Sequence, residues 1–230
     1  ETIPYLDGYS VLTWREPHGV TGHIVPWNYP MQIFGRCVAA ALAAGNVCVV
    51  KPSEDACLSI LRVAQLAAEA GLPAGAINIV TGYGHEVGDA LARHPGVRHI
   101  SFTGSPRIGT LIQQAAAERH CPVTLELGGK SPQIVFADAD LDAAVPVIVN
   151  AIVQNGGQTC SAGSRVLIQR GIWERLTAML AETYRDLHFV WSTNLDYDLI
   201  AQIRPQIVIS EIAERFMGTV PTDEFKVTLD

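Results

Sequence analysis

The stretch RHISFTGSPRIG, residues 98–109, changes from an apolar run to a turn and then to a helical pattern. It predicts a strand over 98–102 and a helix over 106–118. Gly104 and Ser105 then lie at the helix N-terminus, whose N–H groups and dipole attract phosphate. Only Gly104 and Gly109 fit the glycine spacing of dinucleotide-binding loops, so the loop alone is weak evidence, and a purely structural turn is the alternative.

The same alternation of strand and helix runs along most of the chain. The apolar and β-rich runs predict strands over 22–26, 46–51, 77–80, 98–102, 123–127, 132–136 and 165–169. The segments between them predict helices over 31–44, 56–70, 85–93, 106–118, 140–154 and 171–187. Gly71 suits the C-cap of the second helix. Strand–helix–strand repetition predicts right-handed crossovers, and hence an α/β fold with a doubly wound parallel sheet.

Composition narrows the class of protein. Hydrophobic residues make up 48% of the 230 residues and charged residues 17%, which indicates a sizeable buried core. A net charge of -7 argues against a nucleic-acid partner. No apolar run is long enough for a membrane span, and the N-terminus lacks a signal-peptide pattern, so we expect a cytoplasmic protein without a membrane partner. The 5 cysteines form no CxxC pair, which argues against a disulfide framework or a zinc site.

Ligands of such sheets collect beyond the carboxyl ends of the strands, where the unusual loops of this sequence fall. In KPSE, Lys51 offers a cation and Glu54 a carboxylate that can accept hydrogen bonds from ribose hydroxyls. This carboxylate would repel a 2′-phosphate, which favours NAD over NADP. A solvated turn is the alternative interpretation.

Two further loops carry candidate catalytic groups. ELGGK, residues 126–130, places Glu126 at a strand end before two glycines, where it could act as a general base. A charge beside an ordinary turn explains the pattern equally well. In PWNYP, residues 26–30, Asn28 stands between aromatic residues and prolines, and a fixed amide suits the stabilisation of an oxyanion. A plain asparagine turn is the alternative there.

The stretch NGGQTCSAGSR, residues 155–165, places Cys160 among glycines, amides and small polar residues. Most cysteines of soluble proteins have aliphatic neighbours and behave as small hydrophobes. This one is either an incidental thiol in a surface turn or a nucleophile held where a substrate can reach it.

Together, PWNYP, KPSE, FTGS, ELGGK and GQTC resemble, in this order, the motifs of the NAD(P)-dependent aldehyde dehydrogenase superfamily. The resemblance covers about residues 12–187, and Glu126 and Cys160 stand 34 residues apart, as that family's base and nucleophile do. It implies that Cys160 attacks the aldehyde, that Asn28 and the Cys160 N–H hold the oxyanion, and that Glu126 activates the hydrolytic water. No metal is implied. It also implies NAD contacts at ten positions: Trp27, Lys51, Ser53, Glu54, Gly84, Gly88, Gly104, Ser105, Ile108 and Leu127.

The resemblance also implies the domain organisation. We expect a NAD-binding domain of a Rossmann-like variant over 1–127, whose residues 1–20 belong to an incomplete N-terminal region. The start of a second α/β catalytic domain follows over 128–187. The tail, 188–230, resembles the family only faintly, and its structure is left open. A small aldehyde is the expected substrate, and a homo-oligomer is expected if the parent subunit is complete.

The chain is shorter than a complete subunit of that family, which leaves alternatives open. It is a fragment or degenerate copy of an enzyme, or a short protein that binds NAD without turnover. An acylating dehydrogenase that transfers its thioester to coenzyme A is a further option, against which a water-activating Glu126 speaks. A cysteine hydrolase fits less well, because no histidine has a convincing place beside Cys160.

Overall fold

The computed structural model describes residues 1–183, which divide into two compact units at the boundary between Leu127 and Gly128. The strands are β1 (Thr2–Ile3), β2 (Val11–Leu12), β3 (Val20–Val25), β4 (Val47–Pro52), β5 (Ile77–Ile79), β6 (His99–Gly104), β7 (Val123–Leu127), β8 (Pro132–Val135) and β9 (Arg165–Ile168). The α-helices are α1 (Pro30–Ala43), α2 (Leu58–Glu69), α3 (Asp89–Arg93), α4 (Pro106–Ala117), α5 (Leu141–Val153) and α6 (Trp173–Thr183).

The first unit contains a five-stranded sheet in the order β5-β4-β3-β6-β7, in which every pairing is parallel. The chain moves outward from β3 to β5 and then crosses back to β6 on the other side of β3. This confirms the predicted doubly wound parallel sheet. The strand order reverses beside β3, and in such sheets ligands bind outside the carboxyl ends of the strands at this switch point.

Helices cover both faces of this sheet, which explains why its strands are nearly continuous apolar runs. On one face, Val50 of β4 is buried together with Phe34 of α1 and Ile60 of α2. On the other face, Ile100 of β6 is buried together with Ile112 of α4. Each fully buried aliphatic side chain contributes about 1.5–3 kcal/mol, so the two cores fix the sheet and the loops at its edge.

The helix ends follow local signals in the sequence. Gly71 follows α2 with a φ of 91°, so the predicted glycine cap is confirmed. Its N–H donates to the carbonyl of Ala68. A positive φ is unstrained for glycine only, so this residue ends the helix where the sequence predicts.

The second unit begins at Gly128 and contains a parallel pair of strands, in which Gln133 of β8 pairs with Val166 of β9. Helices α5 and α6 pack on one face of this pair and bury Leu176 together with Val166. Asp140 caps the N-terminus of α5 by accepting hydrogen bonds from the N–H groups of Asp142 and Ala143.

Several details differ from the predictions. The sequence did not predict the short antiparallel pair of β1 and β2. The helix predicted over 56–70 begins at Leu58, because Glu54–Ala56 form a 3-10 turn capped by Ser53. The helix predicted over 85–93 begins as a π-helical segment, Gly84–Gly88.

Two predictions at the end of the chain fall partly or wholly outside the described residues. They are the last four residues of the helix predicted over 171–187 and the tail 188–230. Within residues 1–183, no helix is both long and apolar enough to cross a membrane.

Candidate functional site

Four connections at the carboxyl edge of the first sheet carry predicted cofactor residues. They are the loops that follow β3, β4, β5 and β6, and the carboxyl end of the edge strand β7 adds two more residues. All predicted site residues of the first unit lie here: Trp27, Asn28, Lys51, Ser53, Glu54, Gly84, Gly88, Gly104, Ser105, Ile108, Glu126 and Leu127. Parallel strands bring their carboxyl ends to one edge, so the fold itself gathers residues that are distant along the chain.

The loop between β3 and α1 stands beside the switch point of the sheet. Pro30 occupies the first turn of α1, where its missing N–H leaves no donor unsatisfied. Trp27 is 48% exposed, so its indole surface is available at this edge. Asn28 is half-buried in the same loop. The structure thus places both residues at the edge where the sequence predicts them.

Lys51 and Glu54 form an ion pair at the end of β4. Lys51 is buried, and its Nζ donates to Glu54 Oε2 over 2.8 Å. This hydrogen bond lowers the pKa of the Glu54 carboxyl, so the carboxylate is the stable form at neutral pH. Ser53 is also buried, and its Oγ accepts the N–H of Asp55. The edge therefore offers a lysine cation fixed by a partly exposed carboxylate.

The connection from β6 to α4 has the strand–turn–helix geometry that the sequence predicts. Ser105 is the N-cap of α4, and its Oγ accepts the N–H of Ile108 over 3.4 Å. Gly104 leaves room for the ring of the buried Phe102, because a Cβ at Gly104 would lie 2.6 Å from Phe102 Cζ. The Phe102 ring therefore fills the space beside Gly104, and the N-terminus of a three-turn helix follows the turn.

Gly109 and Leu127 explain how α4 lies so close to β7. A Cβ at Gly109 would stand 2.6 Å from Leu127 Cδ2, so a larger residue would force the Leu127 side chain to move. Leu127 is half-buried at the end of β7, where the structure brings it beside the first turns of α4. Gly109 is the second glycine that fits the dinucleotide spacing, and here it has a packing role.

Glu126 lies on the opposite face of the edge strand β7 from the side chains that pack on α4. It pairs in register with Thr103 of β6 and is exposed, whereas its neighbours Leu125 and Leu127 are half-buried. The alternation places the carboxylate away from the apolar core. Glu126 belongs to the strand, and the two glycines that follow it begin the second unit.

The segment after β5 carries the predicted residues Gly84 and Gly88. They are the first and last residues of the π-helical segment, and Gly84 is exposed while Gly88 is buried. Gly82 precedes them with a φ of 144°, and a Cβ there would lie 2.4 Å from Val87 Cγ2. Gly82 is therefore required for this turn, although the sequence patterns did not single it out.

Cys160 belongs to the second unit and is exposed there. It occupies a turn closed by a hydrogen bond from the Ala162 N–H to the Thr159 carbonyl, 3.0 Å long. Gly129 of the ELGGK stretch runs beside this turn, since a Cβ on it would lie 4.0 Å from the Cys160 carbonyl oxygen. The thiol is thus carried by a hydrogen-bonded turn, and these contacts of the turn all lie within the second unit.

The segment before Cys160 has three consecutive residues with positive φ. Asn155, Gly156 and Gly157 have φ values of 51°, 62° and 78°. This conformation is unfavourable for most residues and is tolerated by glycine and, to a lesser degree, asparagine. The asparagine and the two glycines before Cys160 therefore suit the backbone conformation of the segment that connects α5 to the turn of Cys160.

Gln133 is, after Gly82, a second residue that the sequence patterns did not single out. Gln133, on β8, donates from Nε2 to the carbonyl oxygen of Gly163, three residues after Cys160. Its only signal in the sequence is a polar residue within the apolar run PQIVF.

The comparison with known proteins agrees with this arrangement of motifs. The family model described as the aldehyde dehydrogenase family matches residues 1–207. The chain belongs to the aldehyde dehydrogenase family. The resemblance drawn from the sequence is therefore confirmed.

Three similar members place the chain within this family. It is 53% identical over 169 residues to hydroxyisobutyraldehyde dehydrogenase of Mycolicibacterium austroafricanum, covering 74% of this chain and 34% of that relative. A crystal structure from Burkholderia cenocepacia, assigned to the aldehyde dehydrogenases, has a TM-score of 0.80 and 65% identity, covering 93% of this chain and 49% of that one. The NAD+ complex of aldehyde dehydrogenase from Bacillus cereus has a TM-score of 0.77 and 42% identity, covering 82% of this chain and 38% of that one. The chain thus spans about a third of the length of the curated relatives it matches.

Proposed function

We propose that this chain carries the NAD-binding part and the nucleophile of an enzyme that oxidises an aldehyde to a carboxylic acid. The observation that carries the proposal is the setting of Cys160, an exposed thiol on a turn that follows three left-handed residues. Cys48, by contrast, is completely buried among apolar residues. A small substrate can reach the first sulfur but not the second, and a nucleophile must be reachable.

The residues of the first unit fit a dinucleotide by the chemistry of their donor groups. The Gly104–Ser105 turn at the N-terminus of α4 suits a phosphate, which is bound by N–H groups and by the positive end of a helix dipole. The Lys51–Glu54 pair suits the hydroxyls of a ribose, since it offers a donor and an acceptor side by side. We assign Trp27, Ser53, Gly84, Gly88, Ile108 and Leu127 to the same cofactor.

Glu54 favours NAD over NADP in this proposal. Its lowered pKa keeps it ionised, and a 2′-phosphate on the ribose would bring two or more negative charges beside it. The Bacillus cereus relative, solved as its NAD+ complex, supports the assignment by similarity.

The first proposed step takes place at Cys160. Its sulfur forms a bond to the carbonyl carbon of the aldehyde, and the carbonyl electron pair moves to the oxygen. The side-chain amide of Asn28 and the backbone N–H of Cys160 would donate hydrogen bonds to this oxyanion. Donors fixed in advance are effective because they need no reorganisation when the charge develops.

When bound, the dinucleotide supplies a hydride acceptor at its nicotinamide ring. The carbon bound to Cys160 would lose its hydrogen as a hydride while the oxyanion electron pair re-forms the carbonyl bond, so that the acyl group would remain on Cys160 as a thioester. Glu126 would take a proton from a water molecule whose oxygen attacks the thioester carbon, and the carbon–sulfur bond would break to release the acid and the thiolate. An exposed carboxylate at a strand end, followed by two glycines, suits a base that must exchange protons with solvent.

The same proposal includes the domain organisation. The unit Glu1–Leu127 would bind the dinucleotide, and the segment 128–187 would begin the catalytic domain. A small aldehyde would be the substrate, in keeping with the name of the Mycolicibacterium austroafricanum relative. A homo-oligomer and a cytoplasmic location stay predictions from the sequence.

A second candidate function is NAD binding without turnover. It is favoured by the fact that every proposed cofactor residue lies in the unit Glu1–Leu127, whereas Cys160 lies in the other unit. In that case, the first unit would bind the dinucleotide and Cys160 would remain an unused surface thiol.

The experiment mixes the 230-residue chain with NAD and propanal and follows the first turnover by NADH absorbance. We expect a burst in the native chain and no burst in Cys160→Ala. Cys57→Ala is the matched control, because Cys57 is half-buried at the start of α2 and should leave the burst intact. NAD binding is measured separately through quenching of tryptophan fluorescence.

The outcomes separate the two candidates. A burst that depends on Cys160 supports aldehyde oxidation. NAD binding without a burst, and without labelling of Cys160 by an aldehyde analogue, overturns it in favour of the binding function. A chain that has the circular dichroism of a folded protein but binds no NAD overturns both.

A further inference from the structure

The side chain of Gln133 connects three parts of the second unit. From β8, its Nε2 lies 2.9 Å from the carbonyl oxygen of Gly163 and 3.4 Å from that of Ile148 in α5. Both neighbours are carbonyl oxygens, which only accept hydrogen bonds, so the amide nitrogen must face them. Both N–H bonds of the amide are therefore directed at the backbone.

The N–H group and the carbonyl group of Gly163 are both hydrogen-bonded. Its N–H donates to the carbonyl of Ala151 over 2.9 Å, and its own carbonyl accepts from Gln133. The contact leaves no space for a side chain, because a Cβ at Gly163 would lie 2.4 Å from Gln133 Nε2. Gly163 is itself buried, so a lost hydrogen bond there could not be replaced readily by solvent.

Only two residues separate Gly163 from Cys160. One of them, Ala162, is buried and donates the hydrogen bond that closes the turn around Cys160. A shift of the Gly163 peptide therefore moves the last residue of this turn, and the orientation of the thiol changes with it. On the other side of the turn, residues 155–157 lead from α5 toward Cys160 in the left-handed conformation.

We infer that Gln133 is a positioning residue, which holds the Gly163 peptide and thereby fixes the direction of the Cys160 sulfur. The inference rests on the proposed function of Cys160 as the nucleophile. Correct orientation matters for such a group, because a displacement of about 1 Å can lower a reaction rate by about 100-fold.

The choice of amino acid agrees with this role. Asparagine is one methylene shorter and would not span both carbonyls from the same backbone position. Glutamate has the same length, but its carboxylate carries no proton and would face two acceptors. Methionine has a similar length and volume with no donor, so Gln133→Met removes the hydrogen bonds with little change in packing.

The experiment compares Gln133→Met with a matched control in the same unit, Gln169→Met. Gln169 follows β9, and its Oε1 accepts the N–H of Ala137, so this control also removes one side-chain-to-backbone link. We expect Gln133→Met to lower the NADH burst rate by about 10- to 100-fold, and Gln169→Met to change it by less than about twofold. The Kd for NAD should stay near the native value in both variants, because the proposed NAD residues lie in the other unit.

Two further measurements distinguish positioning from a general loss of structure. Iodoacetamide should still alkylate Cys160 in Gln133→Met, because a small reagent needs an exposed thiol but little orientation. In Gln133→Glu, the burst relative to the native chain should recover as the pH falls, because a neutral carboxyl group can again donate to Gly163. The ratio of the Gln133→Met burst rate to the native burst rate should not depend on pH. An unchanged burst in folded Gln133→Met overturns the inference.

Amide hydrogen exchange tests the inference without any activity. The N–H groups of Ala162 and Gly163 should exchange faster in Gln133→Met than in Gln169→Met, as measured by NMR. A native chain with no burst would mean that the proposed function has failed, whereas equal exchange in both variants would mean that Gln133 does not hold this segment.

Discussion

Lys51 Nζ lies 2.8 Å from Glu54 Oε2, and the lysine side chain is 4% exposed where the glutamate side chain is 42% exposed. The buried cation is thus neutralised by a carboxylate that still faces solvent. Because the folded-state pKa of Glu54 is lowered, the contribution of the pair is present above the ordinary glutamate pKa and is lost as the pH falls through the lowered value. The pair is therefore intact at neutral pH, where a cofactor would meet it.

Replacing Glu54 by glutamine should weaken the discrimination against NADP. The substitution keeps a hydrogen-bond acceptor for ribose but removes the charge that repels a 2′-phosphate. We expect the ratio of the Kd for NADPH to that for NADH to fall by about tenfold, which corresponds to about 1.4 kcal/mol. Fluorescence titrations with both nucleotides measure this ratio.

The matched control is Asp55→Asn, which removes the same charge one residue further along the 3-10 turn. It should leave the ratio nearly unchanged, because Asp55 makes no ion pair with Lys51 among the ion pairs of residues 1–183. Equal effects of the two substitutions would show that net charge, and not the position of Glu54, decides the preference.

Ser105→Ala should separate helix capping from phosphate binding. Loss of the cap costs about 1 kcal/mol of stability, and the free energy of unfolding in urea should fall by that amount. Asp140→Ala removes the cap of α5 in the second unit and should cost a similar amount. Only Ser105→Ala should also raise the Kd for NADH. An equal rise in both variants would argue against a phosphate at the start of α4.

The fold could be predicted from the sequence because its signals are local. The step from the strand 98–102 to the helix at Pro106 lies within one short stretch, and Gly71 ends α2 by its own backbone conformation. By contrast, β1 and β2 are two residues long each, and so short a run has no detectable periodicity. The π-helical start of the segment at Gly84 also has no distinctive pattern in the sequence.

The candidate site was predictable in part, for a similar reason. Motifs such as KPSE place Lys51 and Glu54 within one turn, so their proximity follows from the sequence, although the burial of Lys51 depends on the packing of the whole sheet. Gln133 reaches partners that are 15 and 30 residues away. A contact of that kind depends on how β8, α5 and β9 pack together, and a polar residue within the apolar run PQIVF does not reveal which partners it reaches.

His23 should make the stability depend on pH. It is buried in β3, its Nε2 is 2.9 Å from Thr21 Oγ1, and its Nδ1 has no hydrogen-bond partner among residues 1–183. Burial, and secondarily the charge of His99, lowers the pKa of His23 to about 4. The unfolded chain binds a proton from about pH 6.5 downward and the folded chain does so only below about pH 4, so stability falls between these values, by roughly 3 kcal/mol.

The measurement is urea unfolding between about pH 7.5 and about pH 3.5, at intervals of about one unit, a range chosen to span both pKa values of His23, about 6.5 unfolded and about 4 folded. His23→Gln keeps a hydrogen-bonding group next to Thr21 but cannot be protonated, so its stability should fall less steeply over this range. His120→Gln is the matched control, because His120 is exposed, forms no ion pair among those of residues 1–183 and should leave the slope unchanged. If the stability of His23→Gln fell with pH as steeply as that of the native chain, the pH dependence would come from other groups.

Gly157 and Gly156 should differ in their tolerance of alanine, although both have a positive φ. At Gly156 an added Cβ meets nothing within 4 Å, so the cost is the left-handed conformation alone, about 1–2 kcal/mol. At Gly157 the Cβ would also lie 3.3 Å from the carbonyl oxygen of Ile152, a backbone atom of α5 that cannot turn aside. The free energy of unfolding in urea should therefore fall more in Gly157→Ala than in Gly156→Ala. Gly157→Ala should also lower the Cys160-dependent NADH burst, because the displaced backbone leads directly into the turn of Cys160. Equal losses for the two variants would mean that the helix end relaxes and that α5 does not anchor the thiol.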